Sequence, residues 1–196
     1  MPDRPAVCMI AVWVAAALAG CSSLSSDDAP PPEPKGNLLR NGSFEYWGQG
    51  GPLGWEISQT GRIEPEGGAA HGHIAAALTC LLADERLILR QSVAAPEPGP
   101  LRASVRVKTI VPTAGGALRV DVLDGAGARL GGALSEIRGQ PGDWRVASCA
   151  IPCPKGTAAI RYEISLGPGA SGQIVVDFAR LERVEPPPPD AAPAVH

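Results

Sequence analysis

The stretch Leu101-Arg102-Ala103-Ser104-Val105-Arg106-Val107-Lys108 puts an apolar side chain at every second position. A helix cannot gather that period onto one face, whereas a half-buried strand does so automatically. Leu118-Arg119-Val120-Asp121-Val122 and Ile160-Arg161-Tyr162-Glu163-Ile164-Ser165-Leu166 repeat it. A one-sided strand leaves an apolar face that only a second layer can cover, so these segments call for two packed sheets. Residues 87–93, 144–151 and 174–184 supply further strands. Asp124-Gly125-Ala126-Gly127 is a turn signal, and the prolines between 96 and 100 break the chain before the first segment. With 24 Gly and 21 Pro in 196 residues, and 44% hydrophobic but only 4% aromatic residues, the composition suits short strands joined by many turns. No segment after residue 20 carries an amphipathic helical period. The sequence therefore predicts an all-β, antiparallel β-sandwich.

The two ends read differently. Behind Arg4, residues 6–17 are an apolar run too short to span a bilayer as a permanent helix, and it closes on Leu18-Ala19-Gly20-Cys21. This tetrapeptide resembles the lipobox of bacterial lipoproteins. The resemblance implies a signal peptide over residues 1–20, a diacylglyceryl group on the thiol of Cys21, and cleavage just before it. Buried methylenes contribute about 0.8 kcal/mol each, so two acyl chains would hold the protein on a membrane without crossing it. Ser22 resembles the sorting pattern for the outer membrane, so the expected location is the cell envelope, on that membrane. Residues 21–36 lack the apolar pattern that would repay the entropy of ordering and read as a disordered tether. The Pro/Ala tail, residues 185–196, reads the same way. Residues 37–184 are left as one domain. The net charge is −3, with no basic excess that would suggest nucleic acid.

Asn37-Leu38-Leu39-Arg40-Asn41-Gly42-Ser43-Phe44-Glu45, followed by Gly54-Trp55, resembles the opening of the carbohydrate-binding modules associated with bacterial cellulases and xylanases. Gln91-Ser92-Val93, Val107-Lys108, Trp144, the Pro-Lys-Gly-Thr before Ile160, Val176-Asp177 and Leu181-Glu182 follow in the order such modules show. The resemblance implies a galactose-binding-like jelly roll, a polysaccharide or glycan partner, and no catalysis. It also implies a structural calcium ion where the opening segment meets the last strand, held by Glu45, Asp177 and a carbonyl near Ser43. A carboxylate amid Ile174-Val175-Val176-Asp177-Phe178 needs a cation or hydrogen-bond donors, and both readings stay open.

Sugar-binding surfaces usually present aromatic rings to the C–H face of a pyranose. Here Phe44, Tyr162 and Phe178 lie in apolar phase, and Trp55 and Trp144 match supporting positions, so Tyr46 and Trp47 are the rings free to stack. The polar phases offer a second surface. Arg102, Arg106, Lys108, Arg119 and Arg161 outnumber Asp121 and Glu163, and would form a basic patch if two or more of their strands are neighbours. That patch would suit an anionic glycan, with Arg102, Arg106 and Arg161 in contact. His71-Gly72-His73 lacks the further ligands of a catalytic metal site and reads as a loop pair. There is no Gly-x-Ser-x-Gly elbow, P-loop or dinucleotide fingerprint.

Beyond the signal peptide and Cys21, three cysteines remain: Cys80, Cys149 and Cys153. On a straight strand Cys149 and Cys153 would be about 13 Å apart, beyond disulfide reach, while a bridge from Cys80 to either is left open. Three functions follow, in order: a noncatalytic envelope lipoprotein that binds carbohydrate; a structural or protein-interaction lipoprotein that keeps the fold without a sugar site; and an envelope hydrolase.

Overall fold

The computed structural model describes residues 33–82, 84–167 and 172–184. The expected signal peptide, Cys21, most of the expected tether and the Pro/Ala tail lie outside the described residues. The strands in chain order are β1 (Trp47–Gly48), β2 (Gly51–Pro52), β3 (Glu56–Gln59), β4 (Arg62–Gly67), β5 (Ile74–Cys80) and β6 (Leu87–Ala94). They continue with β7 (Gly99–Val111), β8 (Thr113–Leu123), β9 (Arg129–Gly139), β10 (Arg145–Cys153), β11 (Ala159–Leu166) and β12 (Gly172–Arg183). Two five-stranded sheets result, ordered β10-β7-β12-β5-β4 and β3-β6-β11-β8-β9, with β1 and β2 as a small hairpin beside them. Strand pairs within both sheets are antiparallel.

The alternation seen in the sequence sets which face is buried. Leu101, Val105 and Val107 of β7, with Ile174, Val176 and Leu181 of β12, face Leu89 of β6, Leu118 and Val120 of β8, and Ile160 and Ile164 of β11 in one core. Burying side chains of this size stabilises by roughly 1.5–3 kcal/mol each before entropy is counted. Tyr162 reaches across that core: its hydroxyl donates to the Ser104 carbonyl of the opposite sheet at 2.7 Å. Burial pushes the phenol well above its ordinary pKa, so the group stays a donor. Trp55 closes the end of the core, 5.1 Å from Phe44 and 5.9 Å from Tyr162 between ring centroids.

The opening segment is strapped to β12. Asn37 accepts from the Leu181 amide at 3.0 Å and donates to the Ala179 carbonyl at 3.0 Å, and Leu38 donates to the Leu181 carbonyl at 2.8 Å. Gly42 makes the approach possible, since a β-carbon there would sit 2.2 Å from the Ala179 carbonyl oxygen.

The Cys80 alternative is closed. Cys80 lies on β5 and Cys149 and Cys153 on β10, three places apart in the first sheet. At about 4.8 Å per strand that is roughly 14 Å, twice the span of a disulfide. All three thiols are free.

Candidate functional site

Glu45 and Asp177 do meet. Asp177 is fully buried on the outer side of β12, and Glu45 is nearly so. Asp177 Oδ2 accepts from the His71 amide at 2.7 Å and Oδ1 from the Phe178 amide at 2.6 Å. Glu45 Oε1 accepts from the His73 and Ile74 amides at 2.7 and 3.2 Å. Burial, and secondarily the charge of Glu45, raise the Asp177 carboxyl from 3.8 to about 6 against the pull of those amides. Ser43, the third expected ligand, is buried, its amide and hydroxyl donating to Glu33 at 3.2 and 3.1 Å. Glu33 falls within the expected tether, and nothing in its sequence context marked it as a contact of the domain. Among the described residues no three acidic, His or Cys side chains converge. A cation here would draw on two carboxylates and backbone carbonyls, an oxygen set suited to calcium.

The backbone around this pair is under constraint. Asn41, Phe44 and Phe178 have φ of +48°, +58° and +51°, a region costly for side chains other than Asn. Asn41 is held there by bonds from its amide to the Tyr46 and Leu53 carbonyls and from the Tyr46 amide to its oxygen. At Phe178 the cause is a bulge: β12 advances three residues from Asp177 to Arg180 while its partner β7 advances two, from Arg106 to Ser104.

That bulge corrects the sequence reading of Phe178. Its ring is only half-buried, outside the core, stacked on His71 at 4.4 Å, with the Arg106 and Arg180 guanidiniums each 5.5 Å from its centroid. His71 and His73 lie in the bends before β5, as the loop reading expected.

The basic patch is split. β7 belongs to the first sheet, and β8 and β11 to the second, so Arg102, Arg106 and Lys108 point away from Arg119 and Arg161 across the thickness of the domain. On the first sheet Arg180 joins them, paired with Glu182. On the second, the register aligns Glu56, Arg90, Glu163 and Arg119 in one row of alternating sign. Asp121 binds Arg119 at 3.0 Å and Arg129 at 2.7 Å, and lies opposite Arg161. The two aromatic candidates also separate. Tyr46 is half exposed, but Trp47 packs on the core and donates its indole N–H to the Phe44 carbonyl at 2.6 Å. Only the first is free to stack.

No protein-family profile matches the chain, and no curated protein sequence matches it. Solved structures do match. The enzymatically active domain of tailspike protein 4 of bacteriophage CBA120 superposes with a TM-score of 0.63 at 15% identity, over 76% of this chain. The chain covers 22% of that phage protein. A family 61 carbohydrate-binding module, solved with β-1,4-galactotriose, matches at 0.53 and 22% identity over 76% of this chain and 99% of its own. A family 16 carbohydrate-binding module matches at 0.57 and 17% over 76% and 100%. The described domain therefore has the jelly-roll sandwich found in carbohydrate-binding modules. At these identities the likeness establishes the fold, and function has to be argued from the surface.

Proposed function

We propose that this protein is a noncatalytic, lipid-anchored component of the cell envelope whose sandwich binds carbohydrate, with a preference for anionic glycans. The supporting observation is the match of the domain to whole carbohydrate-binding modules, end to end, with Glu45 and Asp177 converging at the junction of first and last strands. Calcium held there by Glu45, Asp177 and the Ser43 carbonyl would tie that junction and offset the repulsion between the two carboxylates. The anionic preference follows from a surface with, among the described residues, Tyr46 as its one exposed Tyr, Trp or Phe ring and many exposed arginines, Arg102 and Arg106 among them. Electrostatic recognition of that kind weakens as salt rises, because exposed charges are screened beyond roughly 8 Å at physiological ionic strength. Cys21 carries the lipid, and the membrane is the outer one.

The test is a glycan screen of the full chain with calcium and with chelator, together with mass spectrometry of the mature N-terminus. Salt-sensitive binding of uronate polymers and a diacylated Cys21 are expected. Binding to no glycan would leave the second reading, a structural or protein-interaction lipoprotein. The charge-compensated, ring-free face of the second sheet favours that alternative.

A further inference from the structure

An open groove among the described residues is used by none of the features above. β3 pairs with β6 only from Leu87 to Arg90. From Gln91 to Ala94, β6 has no strand beside it on that edge among the described residues, and Arg40 of the opening segment bonds to Gln91 there instead. The space between is a groove of about 450 Å³ lined by Leu38, Arg40, Gly54, Ser92, Val93 and Ala94, with Gln91 at its base. That volume lies in the range of small-molecule sites.

Its parts differ in character. Leu38 and Val93 pack on the core from below and make an apolar floor. The Ser92 hydroxyl and the Arg40 guanidinium are exposed at its rim. Arg40 is held firmly at its backbone. Gln91, itself buried, accepts from the Arg40 amide at 2.7 Å and donates to the Arg40 and Gly54 carbonyls at 3.0 and 3.1 Å. Among the described residues no carboxylate pairs with the Arg40 side chain, in contrast to Arg62, Arg90, Arg119, Arg129, Arg138, Arg180 and Arg183. Ser92 stands directly opposite Arg161 of β11, whose buried Nε lacks a hydrogen-bond partner. Gly54 and Ala94 keep the walls low.

We propose that this groove binds a uronic acid residue of a glycan chain, its carboxylate held by Arg40 with help from Ser92 and Arg161, its ring lying on Leu38 and Val93. Arginine matches a carboxylate with two parallel N–H donors, and its pinned backbone lowers the ordering cost of binding. An apolar floor beneath a few polar groups is the usual division of labour for a sugar ring. The site presupposes that the domain binds carbohydrate at all, and it places the ligand at the rim of the second sheet, away from Arg102 and Arg106.

Titration calorimetry of the full chain with an oligogalacturonate, and with a neutral galactan oligomer, tests this. Wild type is expected to prefer the oligogalacturonate and to lose affinity as salt rises. Arg40→Gln should weaken it at least tenfold, and Ala94→Trp, which fills the groove from an exposed position, should abolish it. Arg138→Gln on β9 should leave it within twofold, and thermal midpoints should show all variants folded. If Arg40→Gln and Ala94→Trp bind like wild type, the groove is not the site. Loss of binding in Arg102→Ala/Arg106→Ala under that outcome would keep the carbohydrate reading and move the ligand to the first sheet. If wild type binds neither oligomer, the carbohydrate reading itself fails and takes the groove with it.

Discussion

The outer faces of the two sheets are made from the same alternating strands, yet they carry different surfaces. On the second sheet, β11 pairs with β6 and β8 without a register shift from Ala159 to Leu166, so charges fall in rows of alternate sign and cancel. On the first, one extra residue interrupts β12 at Phe178. Around it gather a buried carboxylate, a His–Phe stack and two guanidiniums over one ring. Along the unshifted β6-β11-β8 ladder opposite charges face one another, while the bulge at Phe178 concentrates unusual groups around it.

The sharpest way to break the contrast is at its backbone support. Gly42→Ala should cost about 3 kcal/mol or more, because its methyl would meet a fixed carbonyl of β12 and the strand cannot move without tearing the sheet. Denaturant midpoints would show it, whereas Ser165→Ala on the second face should change them hardly at all.

Next in size is a pH effect confined to the first face. With its carboxyl at about 6 in the folded state against 3.8 ordinarily, Asp177 binds its proton more tightly when folded. Without calcium, its contribution is full below the ordinary carboxylate range and is lost as pH rises through about 6, by up to about 3 kcal/mol. Saturating calcium favours the anion and should reverse the slope. Unfolding curves from acid to neutral pH, with chelator and with calcium, distinguish the two; curves that coincide with and without calcium would remove the metal, and Asp177→Asn responding to calcium as wild type does would remove Asp177 from its ligands.

Tyr162→Phe addresses what joins the faces. It removes the hydroxyl that bonds the Ser104 carbonyl across the core and should cost about 1–2 kcal/mol, read as a lower thermal midpoint. Smallest in stability is Asp121→Asn, about 1 kcal/mol or less because its arginines are half exposed. It should nevertheless convert the second face into a basic one and raise uronate affinity in a salt-dependent titration.

Much of the sandwich was legible in the sequence because β7, β8 and β11 alternate cleanly. The strands that escaped each have a local reason. β5 runs Ala75-Ala76-Ala77, poor strand formers that fit only because the sheet packs tightly there; β4 contains Glu64-Pro65-Glu66; and β9 begins with Gly131-Gly132 near its start. The opening segment and last strand came together as the family resemblance implied. The basic patch did not, since phase along a strand says which side chains share a face but not which sheet the strand joins. Phe178 was misread because one inserted residue shifts phase, and no composition signal announces it. The Arg40 groove rests on an amide 51 positions away along the chain, a pairing that no local pattern encodes.

β12 is the last strand made and also the middle strand of its sheet, between β7 and β5. The contacts that fasten it to Asn37 close loops of 142 and 144 residues. Such long-range closure makes folding slow, and here it also makes folding late, since the first sheet has a gap at its centre until the C-terminal end of the domain arrives. A polypeptide that stays open until its end has emerged is one that a membrane pore can still thread.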